Sequence, residues 1–302
     1  MIVRKTLDFI FAARPLLLLP TWSIFLITRA FLTDGNHFNA ASFQSLVAVT
    51  LVSVGTYYIN QVFDFQSDLI NKKGGFLQRG FIREGEMLGA YGAVTVVGLA
   101  VALFCSPATL LAVILLVLLG LAYSVPPVKL KDRPIGGLLT NAIGYGLVVP
   151  AAVPGFFDPI GRPGLPLAGY FFLTVAAVYL LTIIPDRRGD AETGKITLAA
   201  RMNDRQLVFS GLMLLSPALV IVWWLRHDFL IYINLLAMAL FVLAWVYPVR
   251  RVVHFACKFP ILLLTFLAGY YYPVFFLFIL VLLLSTRIYY SYRFGNTYPR
   301  LD

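Results

Sequence analysis

The sequence predicts an all-α fold, a polytopic bundle of membrane-spanning helices, on three observations. Hydrophobic residues make up 60% of the 302-residue chain and charged residues only 13%, at a mean hydropathy of +0.85. No water-soluble core needs so much apolar sequence. The apolar residues gather into runs of about 20, long enough to cross a bilayer, and helices satisfy every backbone polar group inside such a run. The basic residues then concentrate in every second loop, as the positive-inside rule requires of cytoplasmic loops.

Nine spans are expected, at 15–32, 43–63, 88–105, 108–123, 136–154, 167–184, 207–225, 229–247 and 260–286. They run almost end to end, so residues 1–302 read as a single transmembrane domain. With the N-terminus inside, most of the 24 Lys and Arg residues share its side. The net charge of +10 is therefore a matter of membrane topology and of an anionic substrate, with no call on nucleic acid. This reading puts the N-terminus and both acidic motifs described below in the cytoplasm and the C-terminal tail outside. It also puts Cys105 and Cys257 on opposite sides of the membrane, where no disulfide joins them.

The chain starts basic, and the apolar run that follows ends in no small-residue cleavage site, so it reads as a first span and not as a leader. Arg14-Pro15 opens that span. Pro15 suits a first helical turn, whereas Pro20 is expected to kink the helix. Trp22 either lines a cavity or packs between helices.

The second span closes on Asn60, Asp64 and Asp68, spaced i, i+4, i+8 and therefore on one face of a helix. Carboxylates at the mouth of a membrane helix need a partner. Two carboxylates and an amide oxygen on one face suit a hard cation such as Mg²⁺, which keeps several waters and bridges to substrate phosphates. The loop that follows, with Lys72, Lys73, Gly74 and Gly75, is flexible and basic, fit either for anion binding or simply for topology.

The fourth span ends in Tyr123-Ser124-Val125-Pro126-Pro127-Val128-Lys129-Leu130-Lys131. The proline pair stops the helix and holds an extended segment. A rigid mount for Lys129 and Lys131 favours anion binding over a purely topological use. At the end of the sixth span, Asp186 and Asp190 repeat the i, i+4 carboxylate pair and face the same compartment as the first, with Lys195 close behind. Pro185 breaks regular helix there.

Four acids confronting one another without a cation would repel and take up protons. Two such pairs, about 120 residues apart and interleaved with Lys and Arg, are the pattern of a site that holds a diphosphate through Mg²⁺.

On these motifs the chain resembles the UbiA-type intramembrane prenyltransferase superfamily over nearly its whole length: N-x-x-x-D-x-x-x-D at Asn60–Asp68, D-x-x-x-D at Asp186–Asp190, then Gly194 and Thr197-Leu198. The wording of Tyr123–Lys131, and of Arg14-Pro15 through Trp22, is similar to the chlorophyll synthase branch. The resemblance implies a helical bundle around a central cavity that opens to lipid. In it Asn60, Asp64, Asp68, Asp186 and Asp190 hold Mg²⁺ and the diphosphate of a polyprenyl donor, Lys129 contacts the diphosphate, and Tyr123 lines the cavity. Lys131 and Lys195 join this set by position and charge. The loop after the first motif departs from the family pattern, since Lys73, Gly75 and Phe76 stand where Pro, Arg and Pro are usual. Lys72, Lys73 and Arg79 are the candidates to replace the missing arginine.

The implied reaction is Mg²⁺-dependent transfer of a polyprenyl group to a lipophilic acceptor, with release of pyrophosphate. The acceptor stays open among aromatic or quinone precursors, tetrapyrroles and glycerol-phosphate lipids. Arg14 is a candidate for an acceptor carboxylate. Two other classes compete. A CDP-alcohol phosphatidyltransferase also uses membrane-edge aspartates, but packs them in a D-G-x-x-A-R segment that this chain lacks. A cation transporter places its charges near the bilayer midplane, whereas these acids sit at span ends.

Overall fold

A computed structural model describes residues 2–33, 35, 37–70, 74–158, 164–192, 194–295 and 298, the side chains at 2, 188, 189 and 191 excepted. Lys72 and Lys73 lie outside the described residues.

Helix α1 (Ile2–Ala12) is amphipathic: Val3, Leu7 and Ile10 remain exposed on one stripe while Asp8, Phe11 and Ala12 are buried. The exposed stripe suits a helix lying at the membrane surface. Arg14 adopts a left-handed backbone (φ 51°) and breaks the helix. A 3₁₀ turn at Pro15–Leu18 then leads into α2 (Leu19–Leu32). Pro15 and Pro20 both sit in first turns, where a missing N–H costs nothing. The bend expected at Pro20 therefore falls earlier, at Arg14–Leu18. Helix α2 is buried from Thr21 to Phe31 and forms the axis of the bundle.

Helix α3 (Ala40–Phe63) is capped by Asn39, whose side chain accepts from the Ser42 N–H. The short α4 (Phe65–Ile70) follows it. Helix α5 (Glu84–Ala102) packs closely along α3, because Gly55 and Gly98 leave no side chain in the seam. A Cβ at Gly55 would stand 2.7 Å from Thr95 Oγ1, and small residues are what let membrane helices approach. Ser106 caps α6 (Pro107–Ser124), so the Cys105–Pro107 junction separates two true helices.

Helix α7 (Gly136–Ile143) passes through a π turn at Gly144–Val148 into α8 (Val149–Ala151). This run is shorter than the other spans, but it crosses the bundle. Its far end, at the Ala152 carbonyl, accepts from Thr109 at the start of α6 (2.9 Å), and Thr109 Oγ1 also lies 3.3 Å from Ser45 Oγ at the start of α3.

The second half comprises α9 (Gly164–Thr182), the short α10 (Arg187–Glu192) and α11 (Leu198–Arg201), then α12 (Asp204–Trp224), α13 (Asp228–Val246), α14 (Arg250–Tyr271) and α15 (Pro273–Phe294). Among the described residues, nine helices are long and apolar enough to cross a membrane. The span expected at 260–286 is in fact two helices, reversed at Tyr272-Pro273, and the expected span at 136–154 is the short tenth traverse. An even number of traverses returns the end of α15 to the side of α1, where Arg293 meets Asp8. The expectation of a C-terminal end on the opposite face is thereby corrected. Trp22 packs edge-on against Phe275 and Phe278 and donates to Thr50 Oγ1, which makes it a packing residue. Cys105 and Cys257 are both free.

Candidate active site

Asn60 lies in the last turn of α3, and Asp64 caps that helix with a non-helical backbone. The three first-motif residues are therefore not on one continuous helix face. The i→i+4 backbone bonds nevertheless carry through the break, from the Asp64 N–H to the Asn60 carbonyl (2.9 Å) and from the Asp68 N–H to the Asp64 carbonyl (2.8 Å). Helix α4 thus resumes in nearly the same direction and keeps the three residues at one edge of the bundle.

Helix α10 packs on α4 and brings the second motif to the first. Lys195 joins them. Its ammonium donates to Asp64 Oδ1 (3.1 Å) and Ser67 Oγ (3.1 Å) and lies 3.5 Å from Asp190 Oδ1. Lys131, only 6% exposed, reaches Asp64 Oδ1 at 2.8 Å and donates to Asn60 Oδ1 at 3.0 Å. Ser124 also donates to Asn60 Oδ1 (3.2 Å). Arg14 Nη2 stands 3.7 Å from Asp68 Oδ2. Lys129 instead turns to Asp132 Oδ2 (3.1 Å), and Asp132 in turn lies 3.9 Å from the Lys195 ammonium. Asp186 stands one turn before Asp190, whose N–H donates to the Asp186 carbonyl (3.0 Å), and its charge acts on the Asp190 carboxyl.

Burial raises the Asp64 carboxyl, but Lys131 and Lys195 together outweigh it and hold the group below the usual carboxylate range. Asp190 has the opposite balance: burial, helped by Asp186, pushes it up against Lys195. Burial lowers Lys131, whereas Lys195 is raised because Asp64 and Asp190 outweigh its own burial. Asp64, held between Lys131 and Lys195, is the electrostatic centre of the site.

A cavity of about 180 Å³ opens beneath it, inside the bundle. Helix α3 lines it with Ser53, Thr56, Tyr57 and Asn60, and α6 with Leu116, Leu119, Gly120 and Tyr123. Both sets follow the i, i+3, i+4, i+7 spacing of one helix face. The opposite wall includes Asn141 and Tyr145, and the Tyr145 hydroxyl lies 2.7 Å from that of Tyr57. Asn60 and Arg14 belong both to the charged network and to the cavity wall.

The structure thus gathers Asn60, Asp64, Asp190, Lys131 and Lys195, with Arg14 and Asp68 beside them, and sets Tyr123 in the cavity. Arg79 is exposed and lies over the Phe294 ring, not in the site. Ser67, Ser124, Asp132, Tyr57 and Tyr145 went unread in the sequence. Ser67 lies inside the first motif and Tyr57 three residues before it, so both carry a positional signal, whereas Tyr145 carries none.

Among the described residues no three Asp, Glu, His or Cys side chains converge into a ready-made metal cage. The donors are all oxygens, with two motifs facing one gap. That fits Mg²⁺, which is bound through one or two carboxylates while waters and substrate phosphates complete its shell.

The UbiA prenyltransferase family model matches residues 18–257. Homogentisate phytyltransferase of Synechocystis sp. is 30% identical over 300 residues, covering 92% of this chain and 93% of its own. Digeranylgeranylglyceryl phosphate synthase of Sulfurisphaera tokodaii is 27% identical, covering 58% of this chain and 63% of its own. The solved structure of a UbiA homologue from Archaeoglobus fulgidus bound to DMAPP and Mg²⁺ has the same fold, with a TM-score of 0.68 at 17% identity over 86% of this chain and 98% of that one.

Proposed function

The chain belongs to the UbiA prenyltransferase family, and on that premise we propose that the Asp64–Lys195–Asp190 cluster is where it holds a prenyl diphosphate. The protein is an integral membrane prenyltransferase that moves a prenyl group from its diphosphate to a lipophilic acceptor, with Mg²⁺ as cofactor and pyrophosphate as product. The phosphatidyltransferase and transporter readings fall with family membership. The whole chain acts as a single domain.

Asn60, Asp64, Asp68, Asp186 and Asp190 would hold Mg²⁺, which when bound supplies the positive charge that neutralises a departing pyrophosphate. The remaining steps belong to the chain itself. Lys131 and Lys195 present fixed ammonium groups where negative charge builds on the leaving group, so no reorganisation is needed as the C–O bond lengthens. Arg14 adds positive charge at the same edge, and the sequence offers Lys129, Lys72 and Lys73 as further cations for the diphosphate. The cavity below takes the prenyl carbon and the acceptor, and its apolar α6 wall excludes the water that would hydrolyse an allylic cation. The faces of Tyr57, Tyr123 and Tyr145 suit the positive charge developing there.

The acidic motifs and both ends of the helical bundle face the cytoplasm. Basic residues favour that side, and the return of α15 adds Arg287 and Arg293 to it.

One observation carries this reading: a single ammonium bound to carboxylates of both motifs. The test is incubation of purified protein with a labelled prenyl diphosphate, Mg²⁺ and a panel of aromatic, tetrapyrrole and glycerol-phosphate acceptors. Labelled prenylated product and pyrophosphate are expected in equal amounts. Absence of pyrophosphate with every acceptor, in folded protein, would overturn the reading.

A further inference from the structure

A buried ion pair remote from both motifs plays no part in that scheme. Asp8 of α1 is 2% exposed, and both its oxygens are taken by Arg293 in the last turn of α15: Nε–H to Oδ1 at 2.7 Å and Nη2–H to Oδ2 at 2.9 Å. The Tyr289 hydroxyl donates to the same Oδ1, and the Tyr289 ring stacks on Phe11 at 4.1 Å. The Arg293 guanidinium also lies 3.4 Å above the Phe81 ring, and Phe294 meets Phe76 edge-on at 4.9 Å. The end of α15 therefore grips two segments at once, α1 and the Phe76–Ile82 turn.

Both segments lead into the site. Two residues after α1 ends, Arg14 turns left-handed, faces Asp68 and enters the cavity wall. The Phe76–Ile82 turn follows the first motif and is tied to α1 again by Lys5, which donates to the Phe81 carbonyl (2.9 Å). Helix α3 holds α1 independently, through Tyr58 to the Phe9 carbonyl and Gln61 to the Ala12 carbonyl, both at 2.8 Å. Those two bonds hold the second half of α1 on α3, and Asp8 and Phe11 give α15 a second hold on the same helix. What α15 adds is register between α1 and the turn behind the first motif. A bidentate guanidinium–carboxylate pair suits that use, because its geometry is directional while its net contribution to stability when buried is small. Helix α15 also lies beyond the residues that match the family.

We propose that the C-terminal helix is a positioning element of the donor site. Arg293 and Tyr289, acting through Asp8 and Phe11, keep Arg14 opposite Asp68 and hold the Phe76–Ile82 turn in register with them. The proposal rests on the diphosphate reading of the site.

The test uses the full-length protein and measures binding of a non-hydrolysable prenyl thiolodiphosphate, together with donor KM, acceptor KM and thermal unfolding. A displacement of about 1 Å at a positioned group can cost on the order of 10²-fold. Arg293→Ala is therefore expected to weaken analogue binding and raise donor KM by about ten-fold, with acceptor KM unchanged. Arg293→Lys should recover part of the loss, and Tyr289→Phe should show a smaller one. Analogue binding equal to wild type in folded Arg293→Ala, or a fall in melting temperature alone, overturns the proposal. If Arg293→Ala does not fold, wild-type binding in both Arg293→Lys and Tyr289→Phe overturns it equally. Wild-type protein that fails to bind the analogue sinks the diphosphate reading instead.

Discussion

Lys195 donates a hydrogen bond to Asp64 across 131 positions of sequence, at 3.1 Å, while its ammonium stays 3.5 Å from Asp190. One side chain thus measures the gap between the two acidic motifs. It spans a distance that a small cation with its waters could also bridge, and the predictions start from that gap.

Removing the charge of either motif should abolish turnover while leaving the bundle folded. Asp64→Asn keeps the shape and a hydrogen-bond acceptor for Lys131 and Lys195, and Asp190→Asn does the same on the other side. Each is expected to lower kcat/KM by more than about ten-fold, a loss above about 1.4 kcal/mol. EDTA should reproduce the loss in wild type, and Mg²⁺ should reverse it. Retention of more than a tenth of the activity in either variant removes that acid from the metal-bridging set.

The two lysines after α6 should behave differently. Lys131 is buried on Asp64 and Asn60, whereas Lys129 is held by Asp132 and is partly exposed. A charged hydrogen bond to phosphate is worth roughly 1.5–3 kcal/mol, so Lys131→Met, which keeps the volume, should raise donor KM by about ten-fold or more. Lys129→Met should have the smaller effect. Measured donor KM values in the reverse order would exchange the roles of the two residues.

Gly146 should be intolerant of a side chain. A Cβ there would come 2.3 Å from Phe172 Cα and 2.4 Å from its nitrogen, both backbone atoms of α9 that cannot step aside. Overpacking of this kind costs typically about 1–3 kcal/mol, so Gly146→Ala should melt well below wild type in detergent. Gly169→Ala meets only Ile221 Cδ1 at 3.7 Å and should melt normally. Equal melting temperatures for the two variants would contradict the close approach of the π turn to α9.

Both ends of the helical bundle should be reached from one side of the membrane. With Cys105 and Cys257 replaced by serine, single cysteines placed between residues 74 and 83 and after Gly295 should react together with an impermeant maleimide, and only once the cytoplasmic face is opened. Labelling of one but not the other in intact cells would restore an odd number of traverses.

The sequence alone determined what depends on near neighbours. Apolar runs of membrane length are read by counting, because the bilayer thickness sets the number of residues. The i, i+4 spacing of Asn60, Asp64, Asp68, Asp186 and Asp190 is equally local, and it singled these residues out as candidate holders of a hard cation. The tertiary structure decided everything that depends on direction in space. Lys129 and Lys131 are indistinguishable by composition and spacing. The left-handed backbone at Lys129 (φ 40°) and the 3₁₀ turn after it send one to Asp132 and the other to Asp64. The C-terminal apolar stretch read as one span because both of its halves are equally at home in lipid, and hydropathy does not register a reversal at Tyr272-Pro273. Only packing against α1 shows where α15 ends, since the Asp8–Arg293 pair joins residues at opposite ends of the chain, and no local pattern in either segment encodes the other's position.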